Sequence, residues 1–79
     1  MQFGKYTFEQ ARTMLAAKQG LTTTRSYNGF DIIISSSKGY GVRFVFYKDN
    51  TFVKERAFTY HPQIEEYYKR YIDEVLLKK

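Results

Sequence analysis

Apolar residues alternate with polar ones through the middle of this 79-residue chain and recur at helical spacing toward both ends. From Thr22 to Tyr60 the pattern is that of a β-meander, four short runs rich in β-branched and aromatic residues separated by three turn signals. Leu21–Tyr27, Phe30–Ser36, Val42–Tyr47 and Thr51–Tyr60 are the predicted strands. Asn28-Gly29 has the composition of a type I′ hairpin turn, whose two central residues both need positive φ. Phe30, Ile32 and Ile34 then share one face of the second strand. Ser37-Lys38-Gly39-Tyr40-Gly41 reads as a flexible turn.

The link between the third and fourth strands admits two registers. A two-residue loop at Asp49-Asn50 sets Arg43 opposite Arg56. A three-residue loop, with Asn50 in the left-handed region, sets Arg43 opposite Glu55 and Phe46 opposite Phe52. Opposite charges and aromatic pairs stabilise neighbouring strands, whereas like charges oppose pairing. The three-residue loop is therefore predicted. It sends Phe44, Phe46, Phe52, Lys54, Arg56 and Phe58 to one side, and Arg43, Val45, Tyr47, Val53, Glu55 and Ala57 to the other.

A helix is predicted on either side of the meander. In the first, Thr7 and Gln10 form a capping box, Phe8, Ala11 and Leu15 line one face, and Gly20 ends the helix. In the second, His61-Pro62 opens the helix, and Ile64, Tyr67, Tyr68, Tyr71, Ile72, Val75 and Leu76 form a wide apolar stripe. Glu65–Lys69 and Glu66–Arg70 stand at i,i+4 on its polar side. The order α-β-β-β-β-α makes one α+β domain over residues 1–79, an antiparallel β-meander with flanking helices.

Composition narrows the chemistry. With no cysteine there is neither a disulfide staple nor a thiolate zinc site, so 7 Phe and 8 Tyr must build the core. A partner, or a second copy in a homodimer, could cover part of such a small sheet. No apolar run approaches the roughly 20 residues of a membrane helix, and Met1-Gln2-Phe3-Gly4-Lys5 lacks a signal-peptide pattern. The expectation is a cytoplasmic protein with no membrane partner. The net charge of +5 resides in residues 1–60, with nine Lys/Arg against four Asp/Glu, while residues 61–79 carry four of each. Such an imbalance favours anionic partners, although a magnitude of five also serves solubility alone.

Catalytic signatures are missing from the sequence. His61, the single histidine, fits a helix start, and Ser35-Ser36-Ser37 has no second histidine or lysine spacing to activate a nucleophile. Glu65-Glu66 suits a solvated first helical turn, and Gly39-Tyr40-Gly41 lacks the rest of a phosphate loop. One histidine without cysteine makes no zinc shell. The expectation is no enzyme, no metal and no cofactor.

Basic and aromatic residues interleaved on strands give the positive signal. Single-strand binders combine cationic tracks with stacking rings. The contrasting reading buries the phenylalanines and leaves Lys54 and Arg56 to reach solvent at the rim. Partner or nucleic-acid contacts are predicted at Arg25, Lys38, Tyr40, Arg43, Lys48, Lys54 and Arg56. Tyr60, Tyr67, Tyr68 and Tyr71 offer a second surface, since tyrosine is enriched at protein interfaces.

Phe8-x-x-Ala11-x-x-x-Leu15 followed by Arg25-x-Tyr27-Asn28-Gly29 resembles the opening of certain small phage-encoded anti-defence proteins of the anti-CRISPR type. Those begin with a short helix and an Arg before a Trp-Asn-Gly turn. Tyr27 stands where they carry Trp and the spacing differs, so no ligand-binding residue transfers. The resemblance implies a non-catalytic inhibitor or adaptor from a phage or mobile element, binding a host protein or nucleoprotein. The alternative is a small basic nucleic-acid-binding domain.

Overall fold

A computed structural model describes residues 3–19, 21–37, 41–58 and 64–77. After a short 3-10 turn (Phe3–Lys5) come α1 (Phe8–Gln19), β1 (Leu21–Tyr27), β2 (Phe30–Ser37), β3 (Gly41–Lys48), β4 (Thr51–Phe58) and α2 (Ile64–Tyr71). The strands form one antiparallel sheet in the order β1-β2-β3-β4, the predicted α+β meander with its flanking helices. No helix among the described residues is long and apolar enough to cross a membrane.

The central strands β2 and β3 are buried on both faces, one helix to each. Ala11 and Leu15 of α1 pack with Ile33, Val45 and Tyr47, while Tyr68 and Ile72 pack with Phe30, Ile32, Ile34, Phe44 and Phe46. Side chains alternate across a strand, so Ile32 and Ile33 serve different cores. Double coverage explains the unbroken buried runs Ile32–Ser35 and Phe44–Tyr47.

The capping box forms as predicted. The Thr7 amide donates to Gln10 Oε1 at 3.0 Å, and the Gln10 amide donates to Thr7 Oγ1 at 3.3 Å. The Asn28-Gly29 turn also stands, with φ of 49° and 83° and Tyr27 paired with Phe30. Ser37 pairs with Gly41, so both strands reach the rim of the second turn. Lys38, Gly39 and Tyr40 lie outside the described residues, as do Gly20 and the His61-Pro62 helix start.

The β3–β4 register departs from the prediction. Lys48 pairs with Thr51, so the loop is two residues long, and Asp49 and Asn50 both have positive φ, at 51° and 65°. These are the φ signs of a type I′ turn, and Asp and Asn tolerate that region better than most residues. Tyr47 then faces Phe52, but Phe46 faces Lys54, so Val53 is the extra residue of a β-bulge. Arg43 consequently faces Ala57 rather than Glu55, and Phe46 does not face Phe52. The bulge moves Phe52 to the α1 side, where its ring meets Tyr47 edge-on at 5.9 Å.

Helix α2 departs too. Its α-turns end at Tyr71, and Ile72–Leu76 continue as a π-helix closed by a Leu77 N–H to Ile72 O bond of 2.8 Å. The wider turn alters the phase of the stripe. Ile72 is buried and Leu76 packs on the core, but Val75 is 51% exposed. Neither predicted i,i+4 pair forms an ion pair: Glu65 binds Arg25 of β1, and Arg70 reaches Glu74 at 3.2 Å.

Candidate functional site

The predicted basic contacts separate into two groups. Arg25 and Arg43 are held by carboxylates of their own chain. Arg25 Nε donates to Glu65 Oε1 at 2.8 Å and Nη1 to the Thr24 carbonyl at 2.9 Å, tying edge strand β1 to α2. Glu65 also accepts the hydroxyl of buried Tyr68. The Tyr68 bond and the Arg25 bond hold the Glu65 carboxyl below its ordinary range. Burial, then the bond to Glu65, pushes the Tyr68 hydroxyl up to about 12. Asp73 closes the same edge by accepting from Tyr27 at 2.7 Å and Asn28 at 2.9 Å. Arg43, half-buried on the α1 side, pairs with Glu55 at 3.0 Å.

Lys48, Lys54 and Arg56 form the second group, all on the α2 side of the β3–β4 half-sheet. Their placement follows from register: Lys48 pairs with Phe30, Lys54 with Phe46 and Arg56 with Phe44. All three are exposed. The Lys48 ammonium lies 5.2 Å from the Phe30 ring centre, and the Arg56 guanidinium 5.8 Å from that of Tyr71. Arg56 also hydrogen-bonds Tyr67; burial raises the Tyr67 hydroxyl and this bond partly offsets the rise. Lys54 makes no ion pair among the described residues. Lys38 and Tyr40, the remaining predicted contacts, lie outside the described residues.

The rings beside these cations are occupied. Phe44 and Phe46 are fully buried, stacked on each other at 6.4 Å. Helix α2 covers them: Tyr67 meets Phe44 edge-on at 5.0 Å and Tyr71 stacks on Phe46 at 5.1 Å. Tyr67 and Tyr71 therefore face the sheet as much as any partner. Among the described residues the arrangement combines a cationic row with buried Phe44 and Phe46 beneath half-buried Tyr67 and Tyr71, next to a strand edge.

Among the described residues β4 has β3 on one side and no strand on the other. The 3-10 turn lies against β4. Just after that turn the Phe8 amide donates to Asn50 Oδ1 at 2.9 Å and Tyr47 Oη to the Tyr6 carbonyl at 2.9 Å. Along β4 the residues Val53, Lys54, Arg56 and Ala57 are exposed.

Elsewhere, no group of three or more Asp, Glu, His or Cys side chains gathers among the described residues. Ser35 is buried under the α1 side, opposite Arg43 and Thr22, which does not suit a nucleophile. The Arg25–Glu65–Tyr68 link and the Val53 bulge were missed by sequence reasoning. Only the pairing of strand and helix in space reveals the first. Asp49-Asn50 signalled the two-residue turn, but nothing in the hydrophobic pattern marked the extra residue at Val53.

The chain matches no protein-family model, no curated protein and no solved structure.

Proposed function

We propose that this chain is a small non-catalytic binding protein, an inhibitor or adaptor that engages a host protein or nucleoprotein through the β4 side of its sheet. The burial of Phe44 and Phe46 beneath Tyr67 and Tyr71 carries this reading. A single-strand binder of the stacking type needs open rings beside its cations. Here the rings stabilise the core, and exposure is left to Lys48, Lys54, Arg56 and the strand edge. Two further cations, Arg25 and Arg43, are matched by Glu65 and Glu55.

The same cationic row favours the second reading, a nucleic-acid-binding domain, and salt dependence separates the two. Three phosphate contacts at about 0.7 each give a log–log slope near −2, so a fourfold rise in salt weakens single-strand binding roughly 20-fold. Fluorescence anisotropy on labelled oligonucleotides is expected to show weak binding that fades along such a slope. Sub-micromolar affinity near physiological salt, lost in a K54E/R56E variant, would establish the nucleic-acid reading instead.

A further inference from the structure

We infer that the open edge of β4 is built to receive an extended acidic segment of a partner protein as a fifth strand, with carboxylates at alternate positions. The inference rests on the protein-binding reading above and specifies the partner's chemistry.

Three observations support it. First, β4 is the last strand of the sheet among the described residues, and an edge strand presents backbone donors and acceptors to any extended chain laid beside it. Second, the exposed side chains of this edge alternate in charge character by face. Lys54 and Arg56, two residues apart, stand on the α2 side. On the α1 side Ala57 is small, and Glu55 is already matched by Arg43. A guest strand placed here meets cations with every second side chain and a small, locally neutral surface with those between. The complementary sequence is therefore acidic–apolar–acidic, not a continuous acidic run.

Third, the edge is ill-suited to a second copy of itself. An antiparallel two-fold pairing of β4 with β4 has its axis perpendicular to the sheet, so each residue meets one from the same face. Centred on Lys54, it sets Lys54 against Lys54; centred on Glu55, Lys54 against Arg56; centred on Arg56, Arg56 against Arg56. Like charges directly opposite one another disfavour pairing, and inward-facing edge charges are a common guard against self-association. In these three registers the edge disfavours its own copy, while the same cations attract an acidic strand.

The experiment uses the full chain and a synthetic ten-residue peptide with glutamate at alternate positions and valine between. Two-dimensional NMR should show its shifts concentrated on the backbone amides of Val53–Ala57, with affinity at least about tenfold weaker for K54E/R56E. A peptide of the same composition with its glutamates contiguous, and one with proline replacing two central valines, should both bind at least about tenfold more weakly. Equal binding of all three peptides would reduce the contact to charge attraction and overturn the inference, as would no binding of the first. Dimerisation of the wild-type chain through β4, seen by sedimentation, would overturn it as well. Tight capture of an oligonucleotide on this edge would defeat both the inference and the protein-binding reading. Binding of a partner protein elsewhere on the surface, with β4 unperturbed, would defeat the inference alone.

Discussion

Arg43 and Glu55 form an ion pair at 3.0 Å although neither faces the other across the strands: Arg43 is opposite Ala57, and Glu55 opposite Val45. The bond runs along the diagonal of the β3–β4 ladder, a reach that long side chains can span. Both side chains retain over a quarter of their exposure, at 29% and 28%, so screening limits the pair to about 0.3–1 kcal/mol. In a double-mutant cycle R43E should destabilise, and adding E55R should recover part of the loss. A cycle with no coupling would mean the pair contributes nothing measurable.

A sharper contrast lies in the last helix. Ile72 is buried against the α2-side core, whereas Val75 projects to solvent because the π-turn shifts the phase between them. Ile72→Ala should cost about 2–5 kcal/mol, and Val75→Ala should stay within about 0.5 kcal/mol. Chemical denaturation of both variants measures this. Comparable losses would indicate that an unbroken α-helical stripe packs in solution.

Burial of Tyr68, together with the hydrogen bonds that Glu65 accepts from Tyr68 and Arg25, makes stability depend on pH at both extremes. Tyr68 has a folded value near 12, above the ordinary 10.0 of the unfolded chain, so the folded state holds this proton more tightly. Its contribution is fully present below pH 10 and is lost as pH rises from 10 toward 12. Glu65 is shifted down from 4.5, so its contribution is present above that value and is lost as pH falls through the lowered folded value. Denaturation midpoints across pH should show Y68F with a shallower alkaline decline, and E65Q with a shallower acid one. Parallel curves for wild type and variants would remove this bond from the account.

Much of the architecture is legible from local chemistry. The Thr7/Gln10 cap, the Asn28-Gly29 turn and the shared face of Phe30, Ile32 and Ile34 all need only near neighbours, and all are present. The placement of Lys54 and Arg56 on the Phe44–Phe46 side was legible as well. Charge pairing at Arg43–Glu55 pointed to the right partners by the wrong route: after a two-residue loop it is the extra residue, Val53, that brings Glu55 onto the face of Arg43, diagonally and not directly opposite. Val75 could not be placed from periodicity, since a single π-turn is invisible to a 3.6-residue repeat. Arg25 could not be recognised as Glu65's partner because 40 residues separate them.

The sheet that joins the two helices also insulates them. Leu15 touches only the side carrying Ile33, Val45 and Tyr47, and Ile72 only the side carrying Ile32, Phe44 and Phe46. Either helix can therefore detach in a local opening without dissolving the other's core, while the hydrogen bonds of β2 and β3 release only when the whole domain unfolds. Native-state hydrogen exchange of L15A should speed the amides of α1 and leave those of α2 near their original rates. Equal acceleration in both helices would mean that the chain opens as one unit, and that the sheet transmits strain instead of containing it.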